Sequence, residues 1–573
     1  MPASSPAALG GLTTVNCIAD FGGGGCAGAQ QGLSGAYDVA ASADGKSLYA
    51  VGQFDSAIVR FDRDPATGAL TPQGCIQDVG KTECGVYEQG LDEPTGVAIS
   101  PDGKSVYVSS AGLDHAIVRF DRDTETGELT GAGCKQSAAA TPDCGGGANT
   151  VAGLTNANDV AVSADSKSVY VVSLGGGGFA GAIVRFDRNT VSEPGTLTPQ
   201  GCFAAPATVD CAGTQQGLGE PYNVAASPDG KSVYVASRVD GAIVRFDRDA
   251  NGALAPQGCF GDVGGTDCGI GNSAQGLAGA LSVAVSPDNT SVYVGSGGDN
   301  ALVRFGRNTG TGALTSQGCI ADVPNSAGCG AAQGGLSRAY AIAVSPDSRS
   351  VYVLGDTDHA IVNFDRDPGT TALATQQSFT TLGLGAPSGG AVSPDGHSFY
   401  VAAWGSNNLF RFFRETSGSS TPPPETPVPP SPTPARPPFV DNEVKVASAF
   451  KRPNNGTITY SFDLPGGGAI LVHADGRVTA PARAWPPNAL GALTRRITIA
   501  QKKVTTVKAG IVKVTLKPKK FPLSVLKRKG KLKARVRITY TPTGGTPKTI
   551  ERSDTFLFKT KRKKNQRSRV SSP

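Results

Sequence analysis

The sequence predicts an all-β fold built mostly of seven copies of one four-stranded unit. Glycine and proline make up about a fifth of the 573 residues (77 Gly and 39 Pro), a proportion that disfavours helices. One motif recurs seven times between Val39 and Val401. Within each copy, short β-branched and aromatic runs alternate with turn residues. This pattern excludes a helical bundle, a coiled coil and most α/β enzymes, and the 39% of hydrophobic residues excludes global disorder.

The repeated unit reads V-A-x-S-x-D-x-x-S-x-Y-V, then A-I-V-R-F-D-R-D, then G-x-L-T-x-x-G-C. Its tyrosine recurs at intervals of 58–64 residues, with a last interval of 48, at Tyr49, Tyr107, Tyr170, Tyr234, Tyr293, Tyr352 and Tyr400. The run S-P-D-G-K-S carries the residues of a tight turn, and the runs on either side have the composition of strands. Four strands in a unit of this length predict one blade of a β-propeller.

The ends of the repeat region predict how the ring closes. Residues 11–33 match the fourth strand and cysteine loop of a unit, yet they precede the first inner strand. The seventh unit stops after its third strand, N-N-L-F-R-F-F-R-E. The N-terminal strand can therefore complete the last blade and leave no free sheet edge. We predict a seven-bladed propeller over residues 8–418.

Twelve cysteines fall into six local pairs that each span 9 or 10 positions. The pairs are Cys17 with Cys26, Cys75 with Cys84, Cys134 with Cys144, Cys202 with Cys211, Cys259 with Cys268, and Cys319 with Cys329. No C-x-x-C occurs and four histidines are too few for zinc sites, so six disulfides are predicted. Reduced thiols in a cytosolic protein are the alternative.

Six disulfides indicate an extracytoplasmic location, secreted or at the cell surface. The N-terminus shows no signal peptide, because it has neither a charged segment nor an apolar run. Either the true start lies upstream or export uses another route.

The residues after the repeats differ in composition and charge. Residues 419–439 are proline-rich and predict a semi-rigid linker. Alternating runs in 440–560 predict a small, basic β-sandwich, Ig-like by pattern, with a turn of helix in F-P-L-S-V-L-K-R-K-G-K-L-K. Residues 561–573 predict a cationic disordered tail. Residues 441–573 hold 30 Lys+Arg and 6 Asp+Glu, whereas residues 1–440 hold 23 Lys+Arg and 41 Asp+Glu.

This division of charge predicts what the chain binds. A basic module attracts polyanions, but its few aromatic residues do not favour nucleic acid. The predicted partner is an anionic cell-wall polymer or a membrane surface, and a solvated module without a specific partner is the alternative. The propeller would offer a binding face to a protein or carbohydrate ligand. The first function hypothesis is therefore an exported binding or display protein of the cell envelope.

The positions that begin each inner strand differ most between copies, and they should surround the mouth of the central channel. The residues predicted to bind a ligand there are Asp38, Asn158, Asp159, Tyr222 and Asn223. No cofactor is expected, although their oxygens could hold a divalent cation. The alternative is that these side chains hydrogen-bond the strand ends. Aspartates in the turns between second and third strands are assigned to turn capping, and His115 and His359 to the surface.

The units Val97–Val108 and Val224–Val235, both V-A-x-S-P-D-G-K-S-V-Y-V, resemble YVTN-type propeller repeats. Over about 410 residues the chain is similar to the seven-bladed lactonase family, which includes 6-phosphogluconolactonases and carboxymuconate cyclases. The resemblance implies, as the alternative function, a lactonase-like hydrolase acting at the propeller channel. Lactonases of this type use His, Glu and Arg in their channel, and the candidates here are Glu93, Glu220 and Arg338. Whether the chain is an enzyme stays open.

Overall fold

Strands account for nearly all of the regular structure. The computed structural model describes residues 10–20, 26–79, 81, 83–138, 140, 144, 149–176, 181–206, 211–265, 268–269, 271–324, 327–416, 445–452, 455–465, 468–481, 492–506, 508, 510–518, 520–542 and 548–559. The contacts divide the chain into two units, Met1–Glu425 and Thr426–Pro573, and each is considered by itself. The predicted linker and tail lie outside the described residues, and the predicted domain limits stay predictions.

The first unit consists of seven mainly antiparallel sheets, or blades, which are numbered in chain order. Blade 1 contains β3 (Ala36–Ala41), β4 (Ser47–Gly52), β5 (Ala57–Arg63), β6 (Leu70–Asp78) and β7 (Val86–Glu88). Blade 2 contains β8 (Pro94–Ile99), β9 (Ser105–Ser110), β10 (Ala116–Arg122) and β11 (Leu129–Gln136). Blade 3 contains β12 (Ala157–Val162), β13 (Ser168–Ser173), β14 (Ala182–Arg188), β15 (Leu197–Ala204) and β16 (Gly213–Thr214).

The remaining blades follow the same order from inner to outer strand. Blade 4 contains β17 (Pro221–Ala226), β18 (Ser232–Ser237), β19 (Ala242–Arg248) and β20 (Leu254–Gly261). Blade 5 contains β21 (Ala280–Val285), β22 (Ser291–Ser296), β23 (Ala301–Arg307), β24 (Leu314–Ala321) and β25 (Ala331–Ala332). Blade 6 contains β26 (Ala339–Val344), β27 (Ser350–Gly355), β28 (Ala360–Arg366) and β29 (Leu373–Phe379). Blade 7 contains β30 (Pro387–Val392), β31 (Ser398–Ala403) and β32 (Asn408–Arg414), together with β1 (Leu12–Ala19) and β2 (Gly28–Ala29) from the N-terminus.

The ring closes as the sequence predicts. The inner strands contact one another in the order β3, β8, β12, β17, β21, β26, β30 and back to β3. Strand β1 pairs antiparallel with β32 and supplies the outer strand that blade 7 lacks. Gly10 completes a contact of the repeat, because its carbonyl accepts the Tyr352 hydroxyl at 2.7 Å as the Gly127 carbonyl accepts that of Tyr49. A Cβ at Gly10 would come within 2.1 Å of Ser350 Oγ, so this position requires glycine.

A buried arginine joins each blade to the one before it. In blade 5, Arg307 donates to both carboxylate oxygens of Asp229 and to the Tyr234 hydroxyl, at distances of 2.8–2.9 Å. The same triplet recurs around the ring, with arginines Arg63, Arg122, Arg188, Arg248, Arg307, Arg366 and Arg414. These contacts explain why F-D-R, S-x-D and V-Y-V repeat together: each motif supplies one member of a link between neighbouring blades.

All six predicted disulfides form, and no described cysteine is free. The bonds join Cys17 to Cys26, Cys75 to Cys84, Cys134 to Cys144, Cys202 to Cys211, Cys259 to Cys268, and Cys319 to Cys329. Each connects an outer strand to the loop that follows it, with Cα atoms 4.9–5.3 Å apart. In four blades the chain after the loop pairs in parallel with that outer strand, as β7 pairs with β6. The disulfides therefore hold the loops that lead from six of the seven outer strands, all except β29, towards the next inner strand.

The second unit contains two sheets. One comprises β33 (Lys445–Arg452), β34 (Thr457–Leu464) and β37 (Gly510–Leu516), and the other β35 (Gly468–Pro481), β36 (Ala492–Thr506), β38 (Lys531–Pro542) and β39 (Lys548–Leu557). Helix α1 (Lys520–Lys529) lies in the run where a turn of helix is predicted. Buried side chains of both sheets, such as Tyr460 and Ile538, form one core, so this is a small β-sandwich. Its Ig-like character stays a prediction. Among the described residues, no helix has the length and apolarity needed to cross a membrane.

Candidate functional site

The mouth of the central channel encloses a cavity of about 110 Å³. All five predicted ligand-binding residues line it, and each stands near the start of an inner strand: Asp38, Asn158, Asp159, Tyr222 and Asn223. Tyr37 and Tyr340 line it as well. Pockets that hold drug-sized ligands are larger, about 300–1,000 Å³. The cavity can therefore accept only a very small ligand without rearrangement.

Three tyrosines close the cavity. The hydroxyl of Tyr222 lies 3.0 Å from that of Tyr37 and 2.6 Å from that of Tyr340, and the Tyr37 and Tyr340 hydroxyls also form a hydrogen bond. The Tyr340 ring meets the other two edge to face, with centroids 6.1 and 5.9 Å away. Blades 1, 4 and 6 thus each contribute one ring, and the triad forms a plug across the channel.

The tyrosine plug should be visible in a titration. Burial, followed by repulsion from a neighbouring phenolate, raises the pKa of Tyr37 and of Tyr340 well above the usual value of 10.0. We expect Tyr37→Phe to leave the rise in phenolate absorbance below pH about 11 unchanged, because Tyr37 does not ionise there in the folded chain. Tyr87→Phe, at a partly exposed tyrosine, provides the comparison. A smaller absorbance rise in Tyr37→Phe would contradict the buried plug.

The polar side chains of the cavity link neighbouring inner strands. Asp38 accepts from the Val97 amide of blade 2 at 2.9 Å, and Asp159 accepts from the Val224 amide of blade 4 at 2.9 Å. Asn223 donates to Asp159 at 2.7 Å, and its own oxygen accepts from the next blade. Asn158 donates to the Tyr222 carbonyl at 2.6 Å. The sequence offered hydrogen bonds to strand ends as the alternative to ligand binding, but the bonded amides of Val97 and Val224 lie within their strands.

Asp38 and Asp159 are unusual carboxyl groups because, within the described part of the chain, they accept hydrogen bonds from amides and form no ion pair. Burial raises the pKa of Asp38 to about 6. Burial, and then the charge of Asp38, raise the pKa of Asp159 to about 7. Two carboxyl groups that share a narrow, poorly solvated channel cannot both ionise at low cost. The pKa values of this pair therefore lie in the range in which general bases operate near neutral pH.

Small residues in the intervening blades make room for these carboxyl groups. A Cβ at Gly96 of blade 2 would come within 2.9 Å of an Asp159 carboxylate oxygen, and one at Gly389 of blade 7 within 2.7 Å of an Asp38 oxygen. The channel therefore combines large and small residues around the ring. The sequence contains this combination, in Tyr-Asp and Tyr-Asn against Thr-Gly and Ser-Gly. What it did not reveal is that Tyr37, Tyr222 and Tyr340 meet.

None of the three catalytic candidates lines the cavity. Glu93, Glu220 and Arg338 occupy one equivalent backbone position, with φ of 50°, 51° and 50°, just before their inner strands. Glu220 forms an ion pair with Arg238, and Arg338 forms one of 2.9 Å with Asp356. Arg338 also lies over the Tyr340 ring, 5.2 Å from its centroid. Arg338 thus contacts the plug from outside the cavity, and none of the three side chains lines the cavity itself.

The turn aspartates and histidines have structural roles. Aspartates of the turns between second and third strands accept amides of the loop that enters the same blade, as Asp55 does from Ser34 and Asp358 from Ser337, both at 3.0 Å. Nδ1 of His115 accepts the Asn156 amide of the next blade at 3.1 Å, and His359 acts likewise on blade 7. In the described part of the chain, no group of three or more His, Cys, Asp or Glu side chains could hold a metal ion.

Known proteins resemble the propeller. Residues 31–143 match the model of the family described as lactonase, 7-bladed β-propeller. A candidate 6-phosphogluconolactonase from Bacteroides uniformis is 20% identical, with a TM-score of 0.43 over 62% of this chain and 87% of its own. The periplasmic gluconolactonase of Pseudomonas aeruginosa is 18% identical, with a TM-score of 0.43 over 61% of this chain and 86% of its own.

Hydrazine synthase from Kuenenia stuttgartiensis is 16% identical, with a TM-score of 0.43 over 68% of this chain and 98% of its own. No curated protein matches the sequence. A shared fold does not establish a shared function, so function has to be argued from the site. In its repeats and its fold, the first unit of this chain resembles the seven-bladed β-propellers of the lactonase family.

Proposed function

We propose that this chain is an extracytoplasmic binding protein that attaches to an anionic cell-wall polymer through its basic β-sandwich, while the propeller presents a ligand- or protein-binding face. The observation that carries the proposal is a row of cations on β38. Lys531, Lys533 and Arg535 are exposed, and they alternate with buried Leu532 and Ala534. Alternate residues of a strand lie about 6.5–6.8 Å apart on one face, so the cations form a straight, evenly spaced row.

The surroundings of this row add further positive charge. Helix α1 ends immediately before β38 with three exposed cations, Lys527, Arg528 and Lys529. The whole segment 441–573 holds only six acidic residues against thirty basic ones, and one of the six, Asp554, is buried in ion pairs with Lys451 and Arg552. A straight row of cations in a strongly basic module favours an extended polyanion over a compact anionic ligand.

The location rests on the disulfides. Six disulfides in one chain are typical of proteins that fold in an oxidising compartment. Loops of nine or ten residues gain roughly 2–3 kcal/mol each from closure in the chain-entropy model. These bonds would be lost in a reducing cytosol, so they support a position outside it.

Attachment by charge predicts a strong salt dependence. We expect the full chain to bind immobilised long-chain polyphosphate at low salt and to lose most of this binding as NaCl is raised, because each cation–phosphate contact displaces a counterion. Lys531→Ser/Lys533→Ser should weaken binding by about tenfold or more, since each cation near a polyanionic surface contributes about 1 kcal/mol.

The control is Lys46→Ser/Lys104→Ser, which removes two exposed lysines from propeller turns and should leave binding unchanged. Binding that is equal at low and high salt would contradict the proposal, as would equal losses in the two double variants. Stronger binding to anionic phospholipid vesicles than to polyphosphate would redirect the attachment to a membrane surface.

A second function, lactone hydrolysis at the channel, is favoured by one observation. Asp159 is a buried carboxyl group whose pKa of about 7 suits a general base at neutral pH. The family match of residues 31–143 agrees with such chemistry in general terms. Against it stand the small cavity, the tyrosine plug and the backbone hydrogen bonds that already occupy both carboxylates.

A lactone panel with the full chain distinguishes the two functions. The proposed binding role predicts no turnover of gluconolactone or 6-phosphogluconolactone, with or without added divalent cations. Turnover that disappears in Asp159→Asn but persists in Glu220→Ala would establish the hydrolase instead. Turnover that disappears only in Glu220→Ala would place the chemistry outside the plug.

A further inference from the structure

A second cavity, about 490 Å³ in volume, lies at the outer edge between blades 2 and 3. Strands β10 and β11 form one wall, and the turn before β15 forms the other. The volume falls within the range of about 300–1,000 Å³ that is typical of small-ligand sites. It is several times that of the channel mouth, at about 110 Å³.

The other blades serve as internal controls for this cavity. The corresponding gap between blades 4 and 5 has a volume of only about 120 Å³, with Gln257 and Phe260 in its lining. Blade 2 has Ala132 and Lys135 at these two places. The outer strands of blades 1, 3, 4 and 5 all carry glutamine at the first position, Gln73, Gln200, Gln257 and Gln317, and an apolar residue at the second, Ile76, Phe203, Phe260 and Ile320.

A third departure from the repeat converges on the same cavity. The turn before β15 is two residues longer than its counterpart in blade 1 (N-T-V-S-E-P-G-T against D-P-A-T-G-A). Two residues of this longer turn, Glu193 and Pro194, line the cavity. The turn is tied to the opposite wall, because Arg119 donates to the Thr196 hydroxyl at 2.6 Å. In a repeat protein, residues common to all copies maintain the fold, whereas three departures at one place indicate a function.

The lining indicates what kind of ligand would fit. Two cations, Arg119 and Lys135, face two anions, Asp121 and Glu193, so the charges balance. Lys135 donates to Asn149 at 3.0 Å, and Arg119 pairs with Asp121 at 2.9 Å. Aliphatic side chains, including buried Ile117 and Leu197, complete the lining. Donors and acceptors interleaved with aliphatic surface suit a molecule whose hydroxyls both donate and accept and whose ring faces are apolar.

We propose that this cavity binds a small neutral saccharide. A phosphorylated or carboxylate ligand would need an excess of cations, and a purely apolar ligand would shield four charged side chains from water without offering them hydrogen bonds. The proposal rests on the binding role proposed above for the propeller and assigns that role a site and a ligand class. It does not depend on polyanion attachment, which the cavity variants below should leave intact, so failure of one proposal is distinguishable from failure of the other.

The test uses the full chain and three neutral sugars, glucose, N-acetylglucosamine and cellobiose, observed by saturation-transfer NMR. We expect saturation transfer to at least one of them. Ala132→Gln/Lys135→Ile restores the residues found in the other blades, fills the cavity and should abolish the transfer. Because the substituted residues already occur at the same positions in blades 1 and 5, the variant should fold normally, and its thermal unfolding checks this.

Gln257→Ala, which changes the equivalent position of blade 4, is the matched control and should leave the transfer unchanged. Lys135→Met tests the charge alone, because it removes the ammonium group without filling the cavity. It should weaken the saturation transfer. Absence of transfer to all three sugars would overturn the proposal. So would transfer that persists undiminished in the folded Ala132→Gln/Lys135→Ile variant.

Discussion

Arg307→Met should lower the free energy of unfolding of the propeller by about 3–5 kcal/mol, the usual effect of removing one partner of a buried ion pair. The Arg307 side chain is 0% exposed and forms a bidentate ion pair with Asp229 of the preceding blade. Methionine fills similar space, but it removes the guanidinium that donates to the Asp229 carboxylate and the Tyr234 hydroxyl. The link between blades 4 and 5 is then lost on this side of the ring.

Urea denaturation of the full chain, followed through the transition of the propeller, measures the effect. The matched control is Arg304→Met on the same strand, where the arginine is half-buried and donates to the Gln317 carbonyl at 3.5 Å. We expect this change to cost less than about 1 kcal/mol. Similar losses for the two variants would show that the buried arginines do not join the blades in the way described.

Asp159→Asn should stabilise the chain at alkaline pH, by roughly 2–3 kcal/mol at pH about 8. In the unfolded chain this carboxyl group titrates near pH about 3.9, whereas in the folded chain its pKa is about 7. The folded state therefore holds the extra proton, and wild-type stability falls as the pH rises from about 4 to about 7. Asparagine cannot ionise, so the variant lacks this decline. This expected stabilisation is smaller than the full difference between the folded and unfolded pKa values implies, because the Asp159 side chain retains partial exposure to the cavity.

Asparagine is compatible with this position, because blade 4 already has Asn223 there and its oxygen accepts the next strand's amide at 2.8 Å. Denaturation at several pH values gives the measurement. Asp38→Asn should likewise remove a decline in stability with rising pH, and in the wild type this decline should end near a pH of about 6. Glu125→Gln, at an exposed turn carboxylate, should stay within about 0.5 kcal/mol of wild type at each pH. Parallel pH profiles for wild type and Asp159→Asn would show that the pKa of Asp159 is the same in the folded and the unfolded chain.

The sequence predicted the propeller because its periodicity is local: seven tyrosines at similar spacing and a fourth strand displaced to the N-terminus define both blades and closure. The hydrogen-bond partners that lie in neighbouring blades could not be predicted from this periodicity. Arg307 and Tyr234 are 73 residues apart, and only the closed ring makes neighbours of the third strand of one blade and the second strand of the previous one. The repeat identified both residues but not their contact.

The channel residues were predicted as a group, yet their chemistry was not. Asp38 and Asp159 were found from their position at inner-strand starts, whereas their raised pKa values depend on burial in the closed ring and, for Asp159, on the charge of Asp38. The cavity between blades 2 and 3 escaped prediction for another reason. The copies differ most at the strand starts, and that contrast concealed smaller departures on the outer strands, where Ala132 and Lys135 replace glutamine and an apolar residue.

The closure of blade 7 has a mechanical consequence. Strand β32, the last strand before the linker, is hydrogen-bonded on both sides, to β31 and to β1, and the Gly10 amide is bonded to the Glu415 carbonyl just beyond it. If the C-terminal module is held on a surface while the propeller is pulled away, the force enters the propeller along β32. The hydrogen bonds to β31 and those to β1 then resist this force together, in shear. Strand β1, which is synthesised first, therefore bears part of the load applied to β32, the last strand of the propeller.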